Sequence, residues 1–390
     1  MPSMERALLP FSVRHAFARV WLPAVIAVLG ACSDSVTPSA PRANTPLSLD
    51  RSGASRAADT SVYATGLNNP RGLRFGPDGF LYVAEGGVGG RTSTVGQCEQ
   101  VPPPVGPYTG NVTGSRISRI DRHGVRTTVV DNLPSSSTSA LSGSLTSGVA
   151  DVEFVHGRLY GLLTGAGCSH GVASVPNQVF RVGRNGSWHM VANLSAWFQT
   201  HPTANPEPDD FEPDGTPYSM VGVRDALYVV EPNHGSLERV ELNGRIQRVV
   251  DISATEGHIV PTTVSYHGDF FIGNLGTFPI IPGTQKILKV TPSGKIKTWV
   301  TGLTMVTGSA WDDRGRLYVL ENTTVAGEPT PMTGRIRRID PSGATTTIVN
   351  GLFLPTAMTM GPDGNLYVSN VGFGPPPIGL GEVLRVRLHD

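Results

Sequence analysis

The chain has 390 residues, and 47 Gly with 32 Pro make up about a fifth of it. That density of turn formers points to many short elements joined by turns rather than to long helices. Basic and acidic residues balance at 31 each, which excludes an electrostatic footprint for nucleic acid. A hydrophobic fraction of 39% is enough for a packed core, and three cysteines are too few for a disulfide-dense miniprotein or a Cys-rich zinc module.

Residues 1–32 read as an export signal. Arg6, Arg14 and Arg19 supply a positive start, and the apolar run from Val20 to Gly30 is too short to span a bilayer as a mature helix. The run ends in Leu29-Gly30-Ala31-Cys32, which looks like a bacterial lipobox and makes Cys32 the expected lipidation site. The competing reading is an ordinary signal peptide with an incidental cysteine. Residues 33–59, rich in Ser, Ala, Thr, Pro and Arg, then form a flexible tether. The expected location is the bacterial cell envelope, lipid-anchored, with Ser33 after the cysteine favouring the outer membrane.

From residue 60 onward one motif is written six times. Its second element reads Leu81-Tyr82-Val83, Leu159-Tyr160-Gly161, Leu227-Tyr228-Val229, Phe270-Phe271-Ile272, Leu317-Tyr318-Val319 and Leu366-Tyr367-Val368. Over the last four copies the spacing is that of a four-stranded propeller blade, and the first two copies need insertions. A first strand such as Gly72–Phe75 or Asp151–Phe154 runs into a turn such as Gly76-Pro77-Asp78-Gly79, where Pro presets φ and Gly takes the left-handed position. Third strands alternate with period two, as in Ile117-Ser118-Arg119-Ile120 and Val383-Leu384-Arg385-Val386. The sixth copy stops where its fourth strand should begin. Val62-Tyr63-Ala64-Thr65-Gly66-Leu67 matches Thr298-Trp299-Val300-Thr301-Gly302-Leu303, the fourth strand of an earlier copy. The expected fold is therefore all-β: a six-bladed propeller of four-stranded blades over residues 60–390, closed by an N-terminal strand that completes the last blade.

Residues Thr65-Gly66-Leu67-Asn68-Asn69-Pro70-Arg71-Gly72-Leu73, Leu81-Tyr82-Val83-Ala84-Glu85, Asp151-Val152-Glu153-Phe154, Val260-Pro261-Thr262 and Gly381-Glu382-Val383-Leu384-Arg385-Val386 resemble the ScyD/ScyE family, bacterial propellers related to NHL-repeat proteins. The resemblance runs over nearly all of residues 62–387 and implies no catalytic residues. Phrases such as Gly-Pro-Asp-Gly-x-Leu-Tyr-Val also occur in gluconolactonase-like lactonases and quinoprotein sugar dehydrogenases.

Up-and-down strands place the short first-to-second and third-to-fourth turns on one face. The long connections 86–115, 164–177, 275–285, 322–334 and 371–381, with blade links 131–148 and 193–216, share the other face, where function is expected. The second strands end there in Glu85, Leu163, Glu231, Asn274, Glu321 and Asn370, and the first strands enter there with Arg71 and Asp151. Such an oxygen-rich mouth suits Ca2+ or another divalent cation, which could act as a Lewis acid on a lactone or phosphoester. The plainer reading has these ends hydrogen-bonding loop N–H groups, with Arg71 neutralising one carboxylate. The basic column Arg119, Arg181, Arg239, Lys289, Arg338 and Arg385 is expected to pair with acids of neighbouring blades. Cys98 and Cys168 fall in long loops of adjacent blades and are expected to form a disulfide. His170, His201, His234 and His258 are expected to be solvated.

The leading expectation is a monomeric binding or scaffold propeller that takes a small molecule, glycan or envelope protein on its long-loop face. A divalent-metal-dependent hydrolase of the gluconolactonase type is the alternative, and a quinoprotein-like sugar oxidoreductase a third.

Overall fold

A computed structural model of the protein describes residues 58–372 and 379–389. The export signal, Cys32 and most of the tether lie outside the described residues.

The described residues form a six-bladed β-propeller. Strand β1 (Asp59–Leu67) is set aside for the last blade, and blade 1 begins with β2 (Pro70–Phe75), β3 (Leu81–Glu85), β4 (Thr109–Ile120) and β5 (Arg126–Ser137), with a short fifth strand β6 (Thr146–Ser147). Blade 2 is β7 (Val149–Val155), β8 (Arg158–Leu163), β9 (Gln178–Val182) and β10 (Trp188–Asn193), followed by helix α1 (Leu194–Thr200). Blade 3 holds β11 (Ser219–Val223), β12 (Ala226–Glu231), β13 (Ser236–Glu241) and β14 (Ile246–Asp251); blade 4 holds β15 (Pro261–His267), β16 (Asp269–Asn274), β17 (Gln285–Val290) and β18 (Ile296–Leu303). Blade 5 comprises β19 (Val306–Trp311), β20 (Leu317–Glu321), β21 (Gly334–Ile339) and β22 (Thr345–Leu352). Blade 6 comprises β23 (Ala357–Met360), β24 (Leu366–Asn370) and β25 (Gly381–Arg387), with β1 as its outer strand. β1 pairs antiparallel with β25, Val62 opposite Leu384 and Leu67 opposite Gly381.

All sequential pairings are antiparallel, and the inner strands β2, β7, β11, β15, β19 and β23 pack each on the next, with β23 against β2. The ring is therefore closed. Its core is divided: one apolar cluster lies at each of the six blade interfaces, for example Leu320, Ile336 and Val349 of blade 5 against Met358, Leu366 and Val368 of blade 6. Every second residue of a strand thus faces one neighbouring blade and the alternate residues face the other, so blades two-sidedly buried read as apolar runs.

The short-turn face explains the repeat. In blade 1, Gly79 takes φ +77°, and the Asp78 carboxylate accepts a bond from Tyr82 Oη at 2.9 Å and faces Arg119 at 3.8 Å. Blade 6 repeats the set, with Asp363 accepting from Tyr367 at 3.1 Å and from Arg385 at 2.5 Å. In these two blades the turn aspartate, the tyrosine of the second strand and the basic residue of the third strand are one device that pins the hairpin to its third strand. Lys289 pairs with Asp269 of its own blade at 3.0 Å, and Arg338 with Asp340 at 3.1 Å. Five of the six column residues, Arg119, Arg239, Lys289, Arg338 and Arg385, thus pair with an acid of their own blade rather than of the neighbour.

The long link 131–148 is more regular than its composition suggests. β5 continues to Ser137, and β6 pairs with it through Ser136 and Ser147.

Candidate functional site

The residues expected to ring the mouth each serve their own blade. Glu85, fully buried, accepts the backbone N–H of Asn68 at 2.6 Å and pairs with Arg116 at 2.7 Å. Glu231 accepts the N–H of Thr216 at 2.7 Å and lies 3.2 Å from His234 Nδ1. Glu321 accepts the N–H of Thr304 at 2.6 Å and holds Arg335 in a two-point pair. Asn274 donates to the Ile259 carbonyl at 2.9 Å, and Asn370 accepts from the Phe353 N–H at 3.0 Å. In each case the end of a second strand clamps the segment that leads into its own blade's inner strand. The cause is general: those link N–H and C=O groups are buried outside any ladder and need partners. Leu163 occupies the same place in blade 2 and leaves no such clamp.

These side chains are therefore not assembled for a cation. Among the described residues, no group of three or more His, Cys, Asp or Glu side chains is placed to hold a metal ion. A hard divalent ion wants six or more oxygen ligands, whereas each oxygen pair here is already engaged by N–H donors or a guanidinium. The donor set does not fit the group.

Asp151 is the exception, since it faces the axis. A cavity of about 40 Å3 lies there, lined by all six inner strands, including Gly72, Asp151, Tyr218, Thr307 and Met358. Asp151 Oδ1 accepts its neighbour Val152 N–H, and Oδ2 accepts the Met220 N–H of blade 3, both at 2.8 Å. Burial lifts its carboxyl to about 7, against the pull of the Met220 bond and of Arg74. Glu153, two residues on, accepts the Gly222 N–H at 3.1 Å and pairs with Arg74 at 2.9 Å. The two carboxylates satisfy the exposed inner edge of β11. Thr262, Thr307 and Thr356 do comparable work elsewhere, donating to the carbonyls of Val306, Pro355 and Pro70 in the next blade.

Tyr218 crosses the axis. It belongs to blade 3, and its hydroxyl donates to the Thr356 carbonyl of blade 6, diametrically opposite, at 3.3 Å. Arg71 bonds the same hydroxyl and donates to the Thr146 carbonyl at 2.6 Å. Burial pushes the Tyr218 hydroxyl up despite the guanidinium beside it. Arg71 thus joins the axial plug. The space left holds water-sized molecules, not a sugar.

The long-loop face carries a larger construction on blades 1 and 2. Cys98 and Cys168 form a disulfide, Cα atoms 6.3 Å apart across 70 residues of chain. Beside it Tyr108 donates to Glu212 at 2.9 Å, and Glu212 meets His170 Nε2 at 3.0 Å. Ser169 gives its hydroxyl and its N–H to Asp214, at 2.7 and 2.8 Å. Serine, histidine and carboxylates in this order have the composition of an acyl-transfer site, but Ser169 and His170 are buried and the serine donates to Asp214 rather than to His170. Burial would pull the His170 imidazole down; the Glu212 bond and the Glu212 and Asp214 charges outweigh it and raise its pKa. On the same acidic link, burial and the neighbouring Glu212 and Glu207 lift Asp210 to about 7.

His170 and His234 are thus buried, not solvated, and His258 pairs with Glu207; His201 is exposed and stacks on Trp197. Of the aromatics on this face, Tyr108 and Phe198 are buried in packing, whereas Phe278 is exposed.

In front of this network opens a cavity of about 410 Å3, walled by Thr92, Thr94, Gln97, Asn111, Thr113 and Ser174, with Val112, Gly171, Val172 and Ala173 completing it. The loops and cysteines pointed to this region. The wall residues themselves are ordinary loop threonines and amides with no motif spacing, so no pattern in the chain marks them.

No protein-family model matches the chain, and no curated protein does. Solved structures do. A protein of unknown function from Bacteroides thetaiotaomicron superposes over 84% of this chain and 72% of its own at TM-score 0.53 and 10% identity. A gluconolactonase from Xanthomonas campestris matches over 85% and 90% at TM-score 0.50 and 11% identity. A glucose dehydrogenase matches over 85% and 100% at TM-score 0.50 and 13% identity. At these identities the likeness is one of fold.

Proposed function

We propose that the protein is a small-molecule-binding propeller whose ligand enters the cavity on the disulfide-clamped loops of blades 1 and 2. The observation that carries this reading is the contrast between two spaces. The axis is plugged by Tyr218 and Arg71 and keeps about 40 Å3, while the loop cavity offers about 410 Å3, within the usual range of ligand sites. The disulfide, the Thr94 bond to the Cys168 carbonyl and the Thr92–Gly110 pairing hold the walls in place before any ligand arrives. A protein-scaffold role has no comparable support.

A thermal-shift screen of small polar molecules on the wild type and on Thr113→Trp tests it. Thr113 is exposed at the rim, so the indole fills the cavity without disturbing the core. Hits lost in the variant support the site, and hits that persist contradict it.

The second reading is hydrolysis of a sugar lactone at the axis. The gluconolactonase and glucose dehydrogenase neighbours favour it, and the Asp151 carboxyl near 7 is suited to a general base. It requires Tyr218 to swing aside, and it does not use the metal mouth expected from the sequence. Turnover of D-glucono-δ-lactone above background, lost in Asp151→Asn, would establish it over the first reading.

Membership of the ScyD/ScyE group, export through residues 1–32 and lipid attachment at Cys32 belong to the same proposal and rest on the sequence motifs. Radiolabelled palmitate incorporation that disappears in Cys32→Ser tests the anchor.

A further inference from the structure

We infer that the cavity on blades 1 and 2 takes a neutral polyhydroxylated ligand, a saccharide unit, an inference that rests on the binding reading above. Among the described residues its wall contains no charged side chain. Four hydroxyls (Thr92, Thr94, Thr113, Ser174) and two amides (Gln97, Asn111) face a single space. Thr94 gives its hydroxyl to the Cys168 carbonyl, and Asn111 Oδ1 accepts the Arg91 N–H at 3.3 Å, which leaves the Asn111 Nδ2 donors for a ligand. The side chains of Thr92, Gln97, Thr113 and Ser174 make no hydrogen bond within the described residues. Hydroxyls both donate and accept, and a carboxamide presents each function side by side, so this set matches a ligand whose groups do the same at short intervals. A carboxylate or phosphate would find no cation here, and an ammonium no carboxylate, so either would lose hydration without a partner.

The apolar part of the wall fits the same class. Val112, Val172 and Ala173 give short aliphatic surface between the polar groups, suited to the C–H face of a pyranose ring. Among the described residues no aromatic side chain lines the cavity, which argues against a flat aromatic ligand that would stack. The two walls are fixed against each other by glycine: at Gly171, φ +75°, a Cβ would come within 2.4 Å of the Gly110 nitrogen and 2.5 Å of the Thr92 oxygen, so only glycine lets the blade 2 loop pack this closely on the blade 1 loop.

The test uses the full chain with methyl-labelled valine, reading Val112 and Val172 by NMR as the probe concentration rises. Probes are D-glucose, maltose and cellobiose, set against D-glucuronate and indole-3-acetate. The expected result is that a neutral saccharide shifts both methyls, and that Thr113→Val with Ser174→Ala weakens it about tenfold. Both substitutions remove hydroxyls without protein partners at exposed positions, and an unchanged melting temperature confirms that the double variant is folded. If only the charged or aromatic probes shift the two methyls, the ligand class is overturned and the binding site stands. If no probe shifts them, both the class and the site are overturned. Saccharide binding that leaves Val112 and Val172 unmoved, or that the double variant retains, overturns the assignment to this cavity.

Discussion

Gly72 shows how little room the axis allows. A Cβ there would fall 1.8 Å from Asp151 Oδ1 and 2.7 Å from the Asp151 Cα, so Gly72→Ala must displace a buried strand. The expected cost is about 1–3 kcal/mol, read as a lower denaturation midpoint. Asp151 itself sets a pH dependence. Its folded pKa, about 7, lies above the unfolded value, so the native state binds the extra proton and stability falls as pH rises toward 7. Asp210 acts in the same direction, also at about 7, and so does His170, whose raised pKa favours the fold at low pH. Calorimetry from pH 8 down to 5.5 should therefore show a rising melting temperature, and Asp151→Asn should flatten part of the rise. Carboxylates held below their usual range, such as Asp312 and Asp363, reverse the trend only in more acid solution.

At the scale of elements, the fold depends on links as much as on strands. Glu321 is fully buried and accepts the Thr304 N–H and the Arg335 guanidinium. Arg335→Met leaves that carboxylate charged and half-satisfied, and the loss should be about 3 kcal/mol in urea denaturation. The Cys98–Cys168 bond closes 70 residues, for which chain entropy gives a stabilisation of about 4 kcal/mol at most; Cys98→Ser with Cys168→Ser should lower the melting temperature and loosen the loop cavity. The strands are legible in the chain because Gly-Pro-Asp-Gly turns and Leu-Tyr-Val strands carry their physics locally, and the disulfide because Cys98 and Cys168 are the two cysteines of the propeller and fall in loops of adjacent blades. The role of Glu85, Glu231 and Glu321 is not. Their shared position at strand ends is visible, but whether a carboxylate turns to the axis or to a link N–H depends on where Asn68, Thr216 and Thr304 sit in three dimensions.

For the whole molecule, closure matters most. β1 covers the edge of β25 and contributes Ala64 and Leu67 to the cluster between blades 6 and 1. Deleting residues 58–67 would expose a strand edge and open that cluster, so the truncated chain should aggregate or lose its cooperative unfolding transition. The closed ring also explains why the cavity could not be read from sequence. It is assembled from two segments of blades 1 and 2 far apart in the chain, residues 92–113 and 171–174, and its wall residues are individually unremarkable. Ligand is expected to occupy the loop cavity and not the plugged axis. Hydrogen exchange followed by mass spectrometry, with and without maltose, tests this most directly. Protection confined to residues 90–98, 109–114 and 170–175 is the predicted result, while protection of the inner strands at 70–75, 149–155 and 219–223 would contradict it.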